Sequence, residues 1–334
     1  CLFITTQKSR TRRVTPTCAT PHSYVATSAL LNNAAERRKA GTMSQVSIEY
    51  SAKVARLPTY PAAEGYGDAD KLVLLASNET PYEPLPQVVQ AAAAAVQGAN
   101  RYPDPSNTEL RESLSERYGV PTAQIAAGNG SCDILLAAGD ALLEAGSELV
   151  YAWPSFSIYP HITAATGATS VQVPLDSADQ HDLGAIKDAI TERTRLVIVC
   201  NPNNPTSTAV PLREIEALIA AIPPRVAVIL DEAYCEFNSL DDPDASIALL
   251  AAHPNLVLLR TFSKVYGLSG MRIGFALCGS ENFREAVDQV RQPFFTSVAA
   301  QAAAVEALKH PEAVRERFEA ADFRGIDITH DCAP

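Results

Sequence analysis

The chain has 334 residues, is 47% hydrophobic and carries a formal net charge of −11 at pH 7, enough length and apolar content for one large and one smaller domain. The acidic balance argues against a nucleic-acid surface or an anionic membrane as partner, and no apolar run approaches membrane-spanning length. The six histidines lack H-x-x-x-H spacing, so no metal site is indicated, and the seven scattered cysteines lack a C-x-x-C pair, which reads as a reducing cytoplasm.

In chain order, residues 1–42 set Lys8, Arg10, Arg12, Arg13, Arg37, Arg38 and Lys39 against Glu36 alone, with many Ser and Thr and no period. They are expected to lie outside the fold, as a transit peptide or as upstream sequence ahead of Met43; the lack of an amphipathic helix favours the second. Residues 43–97 are expected to form an N-terminal arm and part of a small domain. Tyr60 falls in the irregular arm, and Lys71–Ala76 reads as a short strand that turns at Asn78. The alanine run predicts a helix from Pro86 to about Gln97.

Residues 98–295 are expected to form the large domain. Its first feature, Asn100-Arg-Tyr102-Pro-Asp-Pro, is a rigid turn that fixes one aromatic hydroxyl, although a plain linker explains it as well. An amphipathic helix over 108–118 should stop at Gly119. Gly128-Asn-Gly130-Ser131-Cys132-Asp133 then opens a long apolar helix. Glycines before a helix N-terminus expose N–H groups at the positive end of the dipole, which suits a phosphate, but the pattern also serves ordinary tight turns. After the predicted strand Glu148–Trp153, Phe156 could cover a planar ring or simply fill the core.

From Arg195 onward one arrangement recurs. Leu196–Cys200 delivers Asn201-Pro-Asn-Asn204-Pro-Thr206, Val226–Leu230 delivers Asp231-Glu-Ala-Tyr234, and Leu256–Leu259 delivers Arg260-Thr261-Phe-Ser263-Lys264. Continuous apolar runs are typical of a parallel sheet buried on both faces, and ligands of such sheets bind beyond the carboxyl ends of the strands, so the three motifs should converge. Lys264 is the one lysine that directly follows a strand. A lysine amine there can bond covalently to a carbonyl cofactor, and an acid such as Asp231 could face a protonated ring nitrogen, although a capping aspartate is the commoner explanation of that residue type.

With Tyr102 in R-Y-P-D-P, G-N-G-S-C-D, N-P-N-N-P-T, D-E-A-Y and T-F-S-K-x-x-G-L-S-G-x-R in that order, the chain resembles the fold-type I pyridoxal-phosphate aminotransferases over roughly Arg56 to Ala307. Among them it is most similar to the histidinol-phosphate aminotransferases of histidine biosynthesis. The resemblance implies an α/β fold with a mainly parallel seven-stranded sheet flanked by helices, pyridoxal 5′-phosphate as cofactor, and transamination between an amino donor and a 2-oxo acid. An aromatic-amino-acid aminotransferase is the near alternative, a phosphothreonine-type decarboxylase a further one, and a non-catalytic chain that binds cofactor the alternative of another class.

The resemblance also implies roles. Lys264 would hold the cofactor and move the proton at the substrate's α-carbon, Asp231 would keep the ring nitrogen protonated, Asn204 and Tyr234 would bond the ring oxygen, and Phe156 would stack on the ring. Ser131, Cys132, Thr261, Ser263 and Arg272 would seat the phosphate, and Tyr102 would reach the phosphate of the other subunit in a homodimer. Tyr60 and Asn78 are expected on the substrate side.

Two departures bear on substrate choice. Ser207 stands where the family has glycine, and Phe294-Phe295-Thr296-Ser297 stands where it has an asparagine-containing segment. Residues 296–334 are expected to begin a small C-terminal domain whose substrate-binding arginine falls beyond Pro334, which would leave little transamination unless a residue such as Arg291 supplied the charge.

Overall fold

Six short, largely apolar runs become buried strands of one sheet, because such side chains gain most from burial on both faces, about 1.5–3 kcal/mol for each large one, and a more polar seventh strand, Thr169–Pro174, forms one edge. The computed structural model describes residues 48–58 and 77–320. The arm carrying Tyr60, the expected strand at 71–76, the basic stretch 1–42 and the tail beyond residue 320 lie outside the described residues. The described residues 48–51 belong to a separate unit, and the architecture below is that of the described residues from Ala52 onward.

The strands are β1 (Ile125–Gly128), β2 (Glu148–Trp153), β3 (Thr169–Pro174), β4 (Thr194–Cys200), β5 (Ala227–Asp231), β6 (Leu256–Thr261) and β7 (Gly274–Cys278), in the order β1-β7-β6-β5-β4-β2-β3. β2 through β6 pair in parallel, whereas β7 runs antiparallel to both β1 and β6. The sheet is therefore mainly parallel, as the unbroken apolar runs predict.

The helices are α1 (Ala52–Arg56), α2 (Pro86–Val96), α3 (Thr108–Tyr118), α4 (Ser131–Leu142), α5 (Ile158–Thr166), α6 (Leu183–Asp188), α7 (Leu212–Ala221), α8 (Glu281–Val290), α9 (Val298–Leu308) and α10 (Pro311–Ala320). One face of the sheet is covered by α2, α3, α6, α7 and α9. The other carries α4, α5 and α8. In α3, Leu110, Leu114 and Tyr118 recur at every fourth residue and form its buried stripe, and the helix stops at Gly119. In α9, Ala300, Ala303, Ala304 and Ala307 are all buried, and this smooth face lies against the alanine run of α2. Ser297 starts α9 by accepting the N–H of Ala300, so one residue of the unusual Phe294–Ser297 segment serves as a helix cap.

Strand register places the polar motifs side by side. Cys200 is level with Asp231, Asp231 with Leu259, and Thr261 with Gly274, which also faces Gly128 at the end of β1. The carboxyl ends of β1, β4, β5 and β6 and the start of β7 thus share one edge of the sheet.

Candidate active site

The last residue of β5 is Asp231, and the alternation of a strand turns it toward the α4–α5 face. It is 2% exposed. The Tyr159 hydroxyl of α5 donates to its Oδ2 at 2.8 Å, and the Ala233 N–H donates to its Oδ1 at 3.2 Å. Burial pushes the carboxyl up to about 6, against the pull of these two bonds and of the Lys264 charge. No arginine or lysine pairs with it, so among the described residues its negative charge has no cationic partner in contact.

Lys264 leaves the end of β6 and is partly buried. Its amine donates to the carbonyl oxygens of Ser77 at 2.9 Å and Asn78 at 3.1 Å, and lies 5.4 Å from the centre of the Tyr234 ring. Desolvation lowers the pKa of the amine, which enlarges its neutral, nucleophilic fraction. Asn78 also donates its side-chain N–H to the Tyr234 hydroxyl at 3.0 Å, and burial raises that phenol to about 12. Asn78 is thereby joined to both Lys264 and Tyr234.

The third part is a cradle at the start of α4. Gly130 has φ +78°, a backbone that favours glycine, and a Cβ there would come 2.3 Å from the Arg272 guanidinium and displace it. Arg272 itself sits at φ +54°, a conformation that costs a residue with a side chain about 1–2 kcal/mol. Bonds from its guanidinium to Ser263 Oγ (3.3 Å), the Ser269 carbonyl (2.9 Å) and the Asn129 carbonyl (3.4 Å) hold it there. Thr261 Oγ1 accepts the Ser263 N–H at 3.0 Å and so closes the turn before the lysine. Ser131 opens α4, and Cys132 lies within electrostatic reach of Asp231, Arg272 and Lys264, its thiol pushed up chiefly by burial. The parts are therefore neighbours: a carboxylate, an amine, and a helix N-terminus beside a guanidinium.

Asn204 is partly buried and its backbone N–H points at Cys200, the residue level with Asp231; its side-chain amide has no hydrogen-bond partner among the described residues. Phe156 is also partly buried, edge-on to Tyr159 with ring centres 5.8 Å apart. Tyr102 is not brought to these groups within its own chain. It is 80% exposed and stacks on Phe294 with centroids 4.5 Å apart. Arg291 is ruled out as the spare positive partner. Its side chain is 4% exposed, bonds the Ala127 carbonyl and pairs with Asp133 and Asp288, so it braces the cradle from behind.

Two participants were not read from the sequence. Tyr159, the donor to Asp231, lies one helical turn beyond Phe156 in S-F-S-I-Y, and that spacing is the only signal it gives. Asn203, next to Asn204 in the same motif, is 3% exposed and ties Ser155, the Pro154 carbonyl and Thr206 together, fixing the loop that carries Asn204.

The donor set fits pyridoxal phosphate. A buried carboxylate without a cationic partner suits a ring-nitrogen cation, a desolvated amine suits an aldehyde carbon, and a helix N-terminus with Ser131, Ser263 and Arg272 suits a dianionic phosphate.

Comparison with known proteins gives a consistent picture. The family model for aminotransferase class I and II matches residues 70–325. An aromatic amino acid aminotransferase of Streptomyces avermitilis is 46% identical over 80% of this chain and 74% of its own length. One from Cutibacterium acnes is 42% identical over 79% of this chain and 74% of its own. Among solved structures, a histidinol-phosphate aminotransferase from Sinorhizobium meliloti in complex with pyridoxal-5′-phosphate superimposes with a TM-score of 0.74 at 30% identity, covering 83% of this chain and 75% of that one.

Proposed function

The chain belongs to the class I and II aminotransferases and is a pyridoxal-phosphate-dependent transaminase, and we propose that its amino donor is an aromatic amino acid, with a 2-oxo acid as acceptor. The observation that carries this choice is the 46% and 42% identity to relatives named for aromatic amino acids, against 30% to the structure named for histidinol phosphate. The motifs alone had put histidinol phosphate first. They surround the cofactor end of the site, which the whole family shares, while more remote residues select the substrate.

When bound, pyridoxal phosphate supplies a carbonyl carbon and an electron-withdrawing ring. Lys264 is proposed to hold it and then to take and return the proton at the substrate's α-carbon, a task suited to an amine whose pKa is lowered by desolvation. Asp231 keeps the proton on the ring nitrogen. Facing that cation its own pKa falls below about 6, so it is ionised at neutral pH. Tyr234 and Asn204 bond the ring oxygen, Phe156 covers the ring, and Arg272 with Ser131, Cys132, Thr261 and Ser263 seats the phosphate. Asn78, bonded to Tyr234 and to Lys264, is proposed to lie on the substrate side. Tyr102, exposed and stacked on Phe294 rather than on any of these groups, is proposed to serve the other site of a homodimer.

The test is a donor panel of phenylalanine, tyrosine and histidinol phosphate with 2-oxoglutarate. The aromatic donors should exceed histidinol phosphate in kcat/KM by at least about tenfold, roughly 1.4 kcal/mol of discrimination. The reverse order would return the assignment to histidinol phosphate.

A further inference from the structure

Among the described residues, Arg317 on α10 has no carboxylate partner. Its guanidinium donates to three main-chain carbonyls: Val265 at 3.3 Å and Tyr266 at 2.9 Å, directly after Lys264, and Glu83 at 2.5 Å. It also lies 5.9 Å from the centre of the Tyr82 ring. Among the described residues this partly buried cation is bonded only to neutral acceptors, and desolvation lowers its pKa. Gly267 makes the approach possible. It has φ +73°, and a Cβ there would lie 2.9 Å from Arg317 Nη1 and 3.2 Å from the Thr80 methyl.

The two backbone stretches joined by Arg317 meet again at the lysine. The stretch containing Glu83 begins with Ser77 and Asn78, whose carbonyls accept from the Lys264 amine. The other stretch is the loop that carries Lys264. The amine and the guanidinium thus close a ring: Lys264 bonds the start of the 77–83 segment, and Arg317 bonds its end back to the lysine's own loop. Fixing both ends of that segment fixes where the amine can rest, and α10 is the element that supplies the second fixture.

We propose that Arg317 is a positioning residue for Lys264, clamping the 77–83 segment to the lysine loop and so holding the amine in place. Its importance for the reaction rests on Lys264 being the cofactor lysine, but the clamp itself is a property of the chain. The two can be tested separately. Borohydride reduction of the loaded protein followed by peptide mapping reads the cofactor lysine; a label elsewhere would overturn that assignment and leave the clamp standing.

The clamp is read by hydrogen exchange on the full chain, as purified and stripped of cofactor, and by the rate at which acetic anhydride modifies Lys264 in the stripped protein. In Arg317→Met, amides within 78–83 and 265–268 should exchange at least threefold faster, and Lys264 should be modified at a rate altered by a similar factor. Arg317→Lys, which keeps the charge but not the fork, should fall between variant and parent. An Arg317→Met protein that melts like the parent and keeps the parental exchange and labelling rates overturns the clamp. Faster exchange confined to α10 also overturns it, since a purely structural arginine would loosen only its own helix. Should Arg317→Met fail to fold, Arg317→Lys decides by the same two readings.

Discussion

Asp231 and Glu232 are adjacent carboxylates at the end of one strand, yet they do opposite things. Glu232 turns to the α3 side of the sheet, where Arg260 Nε meets it at 2.8 Å and the same guanidinium reaches Asp244 at 2.7 Å, with Arg117 on the far side of Asp244. That charge is neutralised inside the protein, and breaking the pair would leave Arg260, 2% exposed, without its buried counter-ion. Asp231, facing the other way, is hydrogen-bonded among the described residues only by a phenol and an amide N–H. A buried carboxylate provided with donors but no cation is held in readiness for a cation from outside. The difference teaches that burial alone does not mark a functional acid: both residues are buried, and the missing counter-charge sets Asp231 apart.

The largest expected effect separates the pair by kind. Asp231→Asn should keep the fold and lower turnover about a thousandfold, the scale for removing a charge that stabilises the transition state; turnover within tenfold of the parent would break the contrast. Glu232→Gln should do the reverse, lowering stability by roughly 3 kcal/mol in denaturant melts while surviving folded protein turns over near the parental rate. Equal losses of turnover in the two variants would show that the two sides of the strand are not independent.

A smaller effect lies in pH dependence. In the cofactor-free chain Asp231 titrates near 6 rather than 3.8, so between those values the native state binds the proton more tightly than the unfolded chain does. Stability contributed by the protonated form is complete below the lower value and is lost as pH rises through the upper one. The permanently neutral Asp231→Asn should therefore gain on the parent from pH 4 to 6, by on the order of 2–3 kcal/mol, and hold that lead at higher pH. A gap that shrinks as pH rises would contradict the raised titration.

The smallest effect is that of Tyr159→Phe. Its hydroxyl lowers the Asp231 pKa, so its loss should move the acid limb of the kcat/KM profile to higher pH and cost about tenfold at the optimum, as for one charge-assisted hydrogen bond. An unmoved acid limb would show that the phenol serves packing alone.

Much of this was legible in the sequence for one physical reason. Strands buried on both faces must be continuously apolar, so the first polar residues after β4, β5 and β6 announce a shared edge, and Asp231 and Lys264 stand there. Glycine before α4 was readable because few residues tolerate that backbone. What stayed hidden are meetings across long separations. Tyr159 reaches Asp231 from another helix, Arg317 reaches the lysine loop from the far end of the chain, and Arg291, a plausible substrate contact by composition, is consumed by Asp133 and Asp288. Local pattern sets which face of an element is buried, whereas these contacts depend on how whole elements pack.

The antiparallel turn of β7 has a consequence for the order of assembly. β6 and β7 form a hairpin whose connecting loop contains both Lys264 and Arg272, so the two cations of the site are brought together by closing one short stretch of chain. Asp231 must wait for β5 to dock along β6, and the α4 cradle for β1 to dock along β7, each across a longer closure with a greater entropic cost. Closure length alone therefore predicts that the positive half of the site forms with the local hairpin, ahead of the groups that balance it.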